Sequence, residues 1–205
     1  LCITPVSAPE NHYVRIKADN RLEAHGTRRG TFTLTAEGQS DSNIRRIFTT
    51  GFQSEWKSTM ERQLLAISPK ARLLSVDYGK NPKDYQAAPI KITFRYEIPD
   101  YALKGEGEMF FRPMVMNNLY NQVRSYMWID TSVENRKYGF KDACSRLVEL
   151  DETVQLPAGY KLVSAVKDET MQGVGADFEG SLVQKGNKVL LHNRLALKKR
   201  VYEAS

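Results

Sequence analysis

The strongest constraint on the fold is a change of hydrophobic period near Ser40. From there Ile44, Ile47, Phe48, Phe52, Trp56, Met60, Leu64 and Ile67 recur at helical spacing, while Arg45, Arg46, Glu55, Lys57, Glu61 and Arg62 fill the other face. The pattern predicts one long amphipathic helix over about 41–67, roughly seven turns, with Ser40 or Asp41 as its N-cap. Ser68-Pro69 stops it, because the residue before proline is pushed out of the helical region.

On both sides the period is two. Val14, Ile16 and Ala18 alternate with Arg15, Lys17 and Asp19, and after turn signals at Asp19-Asn20 and Gly26–Gly30 the residues Phe32, Leu34 and Ala36 alternate with threonines. That predicts an antiparallel hairpin with one wet face. Leu74, Val76 and Tyr78, and then Ile90, Ile92, Phe94, Tyr96 and Ile98, predict two more strands joined by the turn-rich Asn81-Pro82-Lys83-Asp84. The helix is expected to pack on this N-terminal sheet, its aromatic stripe serving as core.

A short strand is expected at Met109-Phe110-Phe111. Residues 113 to 139 carry the weakest pattern, with a short helix near 115 to 124. Further strands are expected at Cys144–Leu150, Thr153–Leu156, Tyr160–Val166, Phe178–Gln184 and Lys188–Lys198, with Lys185-Gly186-Asn187 as a hairpin signal. The expected class is α+β, mainly β, with antiparallel, sandwich-like sheets. Two units are expected, 1–112 and 113–205.

Charge and reactive residues narrow the function. Thirty Lys and Arg against 24 Asp and Glu give a net +6 in 205 residues, but the excess is scattered, so a solvated surface is expected and nucleic acid is not. No apolar run approaches the roughly 20 residues needed to cross a bilayer. Two cysteines, Cys2 and Cys144, cannot build a disulfide scaffold or a four-cysteine zinc site, and whether they pair with each other is open. Cys144 lies in a strand-like stretch with only His192 as a conceivable base, and reads as an apolar filler. His12, His25 and His192 form no paired ligand motif, Gly173-Val174-Gly175 reads as a turn, and Asp130/Glu134 and Glu106/Glu108 read as surface acids. No catalytic set, metal site or cofactor loop emerges. Tyr120, Tyr126 and Trp128 are the candidate partner-contact residues, since these types are enriched at interfaces.

Three phrases carry a family resemblance: Glu134-Asn135-Arg136-Lys137-Tyr138, Leu156-Pro157-Ala158-Gly159-Tyr160-Lys161-Leu162-Val163, and Asn193-Arg194 through Val201-Tyr202. They resemble the β-rich region that follows the transglutaminase-like core of large envelope proteins common in Bacteroidetes. The resemblance implies that any Cys-His-Asp core lies upstream of Leu1, and both ends of the chain are expected to be cuts in a longer polypeptide. It further implies export to the periplasm or cell surface, and a non-catalytic region that positions the catalytic core or its protein or peptide substrate. Two rivals are a free-standing module for an anionic glycan or nucleic acid, and a cysteine hydrolase using Cys144.

Overall fold

In the computed structural model, residues 5–86, 89–114, 137–163 and 168–204 are described. The chain begins with a 3-10 turn, Pro9–His12, then β1 (Tyr13–Leu22) and β2 (Arg28–Ala36), paired antiparallel from Val14 opposite Ala36 to Leu22 opposite Arg28. β1 shows strict burial alternation, the signature of a strand with one face on a core. The expected turn at Asp19-Asn20 is absent. β1 runs through both residues because the Asn20 side chain is buried and hydrogen-bonded on the inner face, and the chain reverses instead at Glu23–Thr27, with Gly26 at φ 94°.

The helical stretch is two helices rather than one. α1 spans Gly38–Thr50 and α2 spans Trp56–Leu65, separated by extended Gly51 and Phe52 and the 3-10 turn Gln53–Glu55. Glycine is a poor helix former. Thr49 and Thr50 also turn their hydroxyls back to the Arg46 carbonyl at 3.1 and 2.8 Å, side-chain bonds that weaken and bend a helix. Phe52, expected in the core, is 76 % exposed at the break, whereas Ile44, Phe48, Trp56, Met60 and Leu64 are buried. Neither Ser40 nor Asp41 is the cap. α1 starts three residues earlier than expected, leaving the Ser40 hydroxyl to donate to the His12 carbonyl and the Asp41 carboxylate to accept from the Ile90 N–H.

β3 (Arg72–Asp77) and β4 (Ile90–Ile98) follow, then the small hairpin β5 (Leu103–Lys104) and β6 (Met109–Phe110). The later strands are β7 (Phe140–Lys141), β8 (Arg146–Gln155), β9 (Glu169–Gln172), β10 (Ala176–Lys185), β11 (Lys188–Leu197) and β12 (Val201–Tyr202). β8 is one continuous strand where two were expected, and Tyr160–Val163 is irregular where a strand was expected. Lys185 opposite Lys188 closes a two-residue hairpin, with Gly186 at φ 61°.

The main sheet has eight strands in the order β3-β4-β2-β1-β8-β11-β10-β9. Its ladders are antiparallel except for β1–β8, which is parallel, so the sheet is mixed rather than purely antiparallel. The α+β, mainly β class holds. The expected units 1–112 and 113–205 meet along the β1–β8 ladder, and one sheet runs through both. Among the described residues no helix is long and apolar enough to cross a membrane.

Through the ladders, Val14, Ile16, Phe32, Leu34, Ile92 and Phe94 share one face with Val148, Glu152, Val154, Val189, Leu191 and Leu182. α1 and α2 cover the first part of that face. Phe48, Trp56 and Tyr78 meet edge to face at centroid distances of 5.1 to 5.7 Å, and Phe32 stacks on Phe94 at 4.2 Å. Of these, the fully buried Phe32, Phe48 and Phe94 side chains contribute about 1.5–3 kcal/mol each. A second, smaller core joins Leu22, Ala102, Val154, Leu156 and Val189, with Met109, Phe111, Tyr160 and Leu162 packed against it.

Candidate functional site: an apolar groove on the second half of the sheet

The helices stop short of β8, β10 and β11. There the inner face is flanked instead by the β5–β6 hairpin and by the irregular Leu156–Val163 segment, and a groove of about 840 Å³ lies between them. Its floor is Glu152 and Val154 of β8, Val189 and Leu191 of β11 and Leu182 of β10; its walls are Met109, Phe110 and Phe111 on one side and Leu156, Tyr160 and Leu162 on the other. The strands supply the floor because every second residue must point the same way. The Leu156–Val163 wall is held by three bonds: the Leu156 N–H to the Asn187 carbonyl at 2.8 Å, the Tyr160 N–H to the Pro157 carbonyl at 3.3 Å, and the Leu162 N–H to Gln184 Oε1 at 2.7 Å. Large apolar side chains remain open to solvent around the mouth: Phe110 is 59 % exposed and Val163 92 %.

At the inner end stands a buried polar network. Glu152 forms an ion pair with Arg28 and accepts from Asn20 Nδ2 at 3.0 Å, while the Tyr96 hydroxyl donates to Asn20 Oδ1. Burial pushes the Tyr96 hydroxyl up to about 12, with Arg28 pulling the other way, so it stays protonated and a donor at neutral pH. The Arg28 guanidinium lies 4.9 Å from the centre of the Tyr101 ring, and the Tyr101 hydroxyl donates to the Arg112 carbonyl at 2.7 Å. Arg28, Asn20 and Tyr96 come from the first half of the chain and Glu152 from the second, so the network ties the halves together beside the groove.

Cys144 is buried, and its thiol is pushed up by desolvation against the opposing pull of Arg146. That is the reverse of what a thiolate nucleophile needs. His192 Nδ1 sits 2.7 Å from Asp151 Oδ1 on the opposite, solvated face of the sheet, level with Asp151 in the middle of β8 rather than with Cys144, which precedes that strand. Tyr120, Tyr126 and Trp128, the pair Asp130 and Glu134, and Cys2 lie outside the described residues. Glu106 and Glu108 are exposed near the tip of the β5–β6 hairpin, and Gly173–Gly175 forms a turn closed by the Gly173 N–H to the Ala176 carbonyl. Among the described residues no three His, Cys, Asp or Glu side chains come together as a metal site.

The groove was missed in the sequence because its walls are irregular segments. The available signal was that the second half supplies alternating apolar strands, such as Lys188–Leu197, with no amphipathic helix long enough to cover them.

Residues 107–205, somewhat under half of the chain, match the model of a family described as a domain of unknown function with solved structure (DUF3858). The matched stretch contains every groove-lining residue except Leu22. No curated protein and no solved structure matches the chain.

Proposed function

We propose that this chain is a non-catalytic accessory region of an exported, transglutaminase-like envelope protein, and that the groove seats an apolar polypeptide segment of the catalytic core of the same longer chain. The observation that carries the reading is the groove itself: an apolar concavity on the sheet, rimmed by exposed Phe110 and Val163. Soluble proteins rarely leave such surface uncovered without a partner for it. Its size falls within the range of ligand-binding clefts, and its lining offers apolar area with few polar groups. The transglutaminase-like context, the bacterial envelope and the location at the periplasm or cell surface come from the sequence resemblance. Within that context the groove is a docking seat that orients the core, and a protein or peptide substrate of the core is the competing occupant.

The test is association in trans with the upstream core. Phe110→Glu and Val163→Glu place charges on the rim at exposed positions, so folding is preserved while docking is disfavoured. Loss of association in both variants, with Lys57→Glu on α2 as an unaffected control, is the expected result. Absence of association, or association indifferent to both rim changes, contradicts the reading.

A further inference from the structure

The solvated face of the sheet, opposite the groove, carries its own concavity of about 410 Å³ at the end of the sheet where β2 and β11 begin. Successive ladder rows build it. One row runs Arg95, Thr31, Asp19, Thr153, and the next runs Glu97, Arg29, Arg21, Gln155, Lys188. Arg29 is already engaged by Glu97 at 2.7 Å and Glu23 at 2.8 Å. Arg21, Arg95 and Lys188 are exposed and make no ion pair among the described residues.

We infer that this hollow binds an acidic oligosaccharide. The free cations lie in two adjacent rows, Arg95 of β4 in the first and Arg21 of β1 and Lys188 of β11 in the second, and from β4 to β11 there are four strand spacings, about 19 Å. One small anion cannot reach from Arg95 to Lys188, whereas an oligomer with repeated carboxylates can. Between the cations stand groups suited to sugar hydroxyls: the Asp19 carboxylate accepts, and the Thr31 and Thr153 hydroxyls and the Gln155 amide both donate and accept. Asp19 between the cations can accept from the hydroxyls that separate an acidic sugar's carboxylates, whereas a chain of phosphates without such hydroxyls leaves it facing like charge. Among the described lining residues the one aromatic ring is that of Tyr96, turned inward to Asn20, so the hollow offers hydrogen-bonding partners rather than a surface for stacking bases. An acidic peptide satisfies the cations but uses fewer of the hydroxyl partners.

The experiment is calorimetric titration of the full chain with an oligogalacturonate, its methyl-esterified neutral form and an oligoglutamate of equal length. Binding of the oligogalacturonate, weakened by added salt and by about tenfold in each of Arg21→Gln, Arg95→Gln and Lys188→Gln, supports the inference. Failure of the neutral form to bind and unchanged affinity in Lys57→Gln complete the expected pattern. No oligogalacturonate binding, affinity indifferent to the three substitutions, or equal affinity for oligoglutamate overturns it. Phe110→Glu is expected to leave this binding intact, which separates the outcome from that of the groove.

Discussion

Arg28 on β2 and Glu152 on β8 form an ion pair that reaches across the intervening β1, with no exposed side-chain surface on either partner. The pair fastens the first half of the chain to the second at the inner end of the groove. Removing one partner of a buried pair strands a charge, so Arg28→Met or Glu152→Leu alone is expected to cost about 3–5 kcal/mol, whereas the double substitution recovers most of the loss. Urea unfolding of the three variants measures this, and additive losses in the double variant contradict it.

Gly30 stands opposite Asn20 in the ladder, and a Cβ there would collide with the Asn20 side chain and the Asp19 carbonyl. That close approach is what admits Asn20 to the network. Gly30→Ala is therefore expected to destabilise by about 1–3 kcal/mol, the cost of overpacking, against the gain that alanine normally brings to a strand. Thermal unfolding distinguishes the two signs.

Arg45 on α1 is buried, with its Nε on Asp41 at 2.6 Å and a terminal nitrogen donating to the carbonyls of Pro82 and Asp84 at 3.1 and 2.9 Å. It pins the loop between β3 and β4 onto the helix. Arg45→Met keeps the stem but orphans those carbonyls, for an expected loss of about 1–3 kcal/mol together with faster proteolysis between Asn81 and Asp84.

His12 Nδ1 accepts from the Gln39 N–H at 3.1 Å at the start of α1, which needs the neutral ring. Desolvation first and the Arg146 charge second lower its pKa from the ordinary 6.5. Because the folded state binds the proton more weakly than the unfolded one, the stabilisation is full above pH 6.5 and is lost as pH falls through the lowered folded value. A His12→Gln variant is expected to flatten stability over that window, as denaturant midpoints at several pH values would show.

Cys144 is expected to react with iodoacetamide at neutral pH far more slowly in the folded chain than after unfolding, since both burial and its raised pKa suppress thiolate. The measurement uses a Cys2→Ser background. A fast folded-state reaction would revive the cysteine-hydrolase alternative.

Period-two alternation identified Val14, Ile16 and Ala18 of β1, Phe32, Leu34 and Ala36 of β2 and Ile90 through Ile98 of β4 as inner-face positions, because one-sided burial forces that pattern, but not Leu22 or Arg28 at the far ends of β1 and β2. The helical stripe was equally visible, yet its break at Gly51 was not, since an apolar spacing continues through Phe52 whether or not the backbone does. Asn20 reads locally as a turn residue, and only Glu152 and Tyr96, distant in sequence, explain why it sits inside a strand. The parallel β1–β8 pairing left no local mark. The groove was hidden for the same reason: Leu22, Phe110, Leu162 and Leu182 converge only through tertiary contacts, and each alone reads as an ordinary apolar residue.

The most direct measurement of the central claim is the affinity of the chain for its upstream catalytic core in trans, comparing the native sequence with Phe110→Glu and Val163→Glu. The account expects saturable binding that both rim substitutions abolish while the unfolding midpoint stays unchanged; equal binding by all three, or none by the native chain, would contradict it.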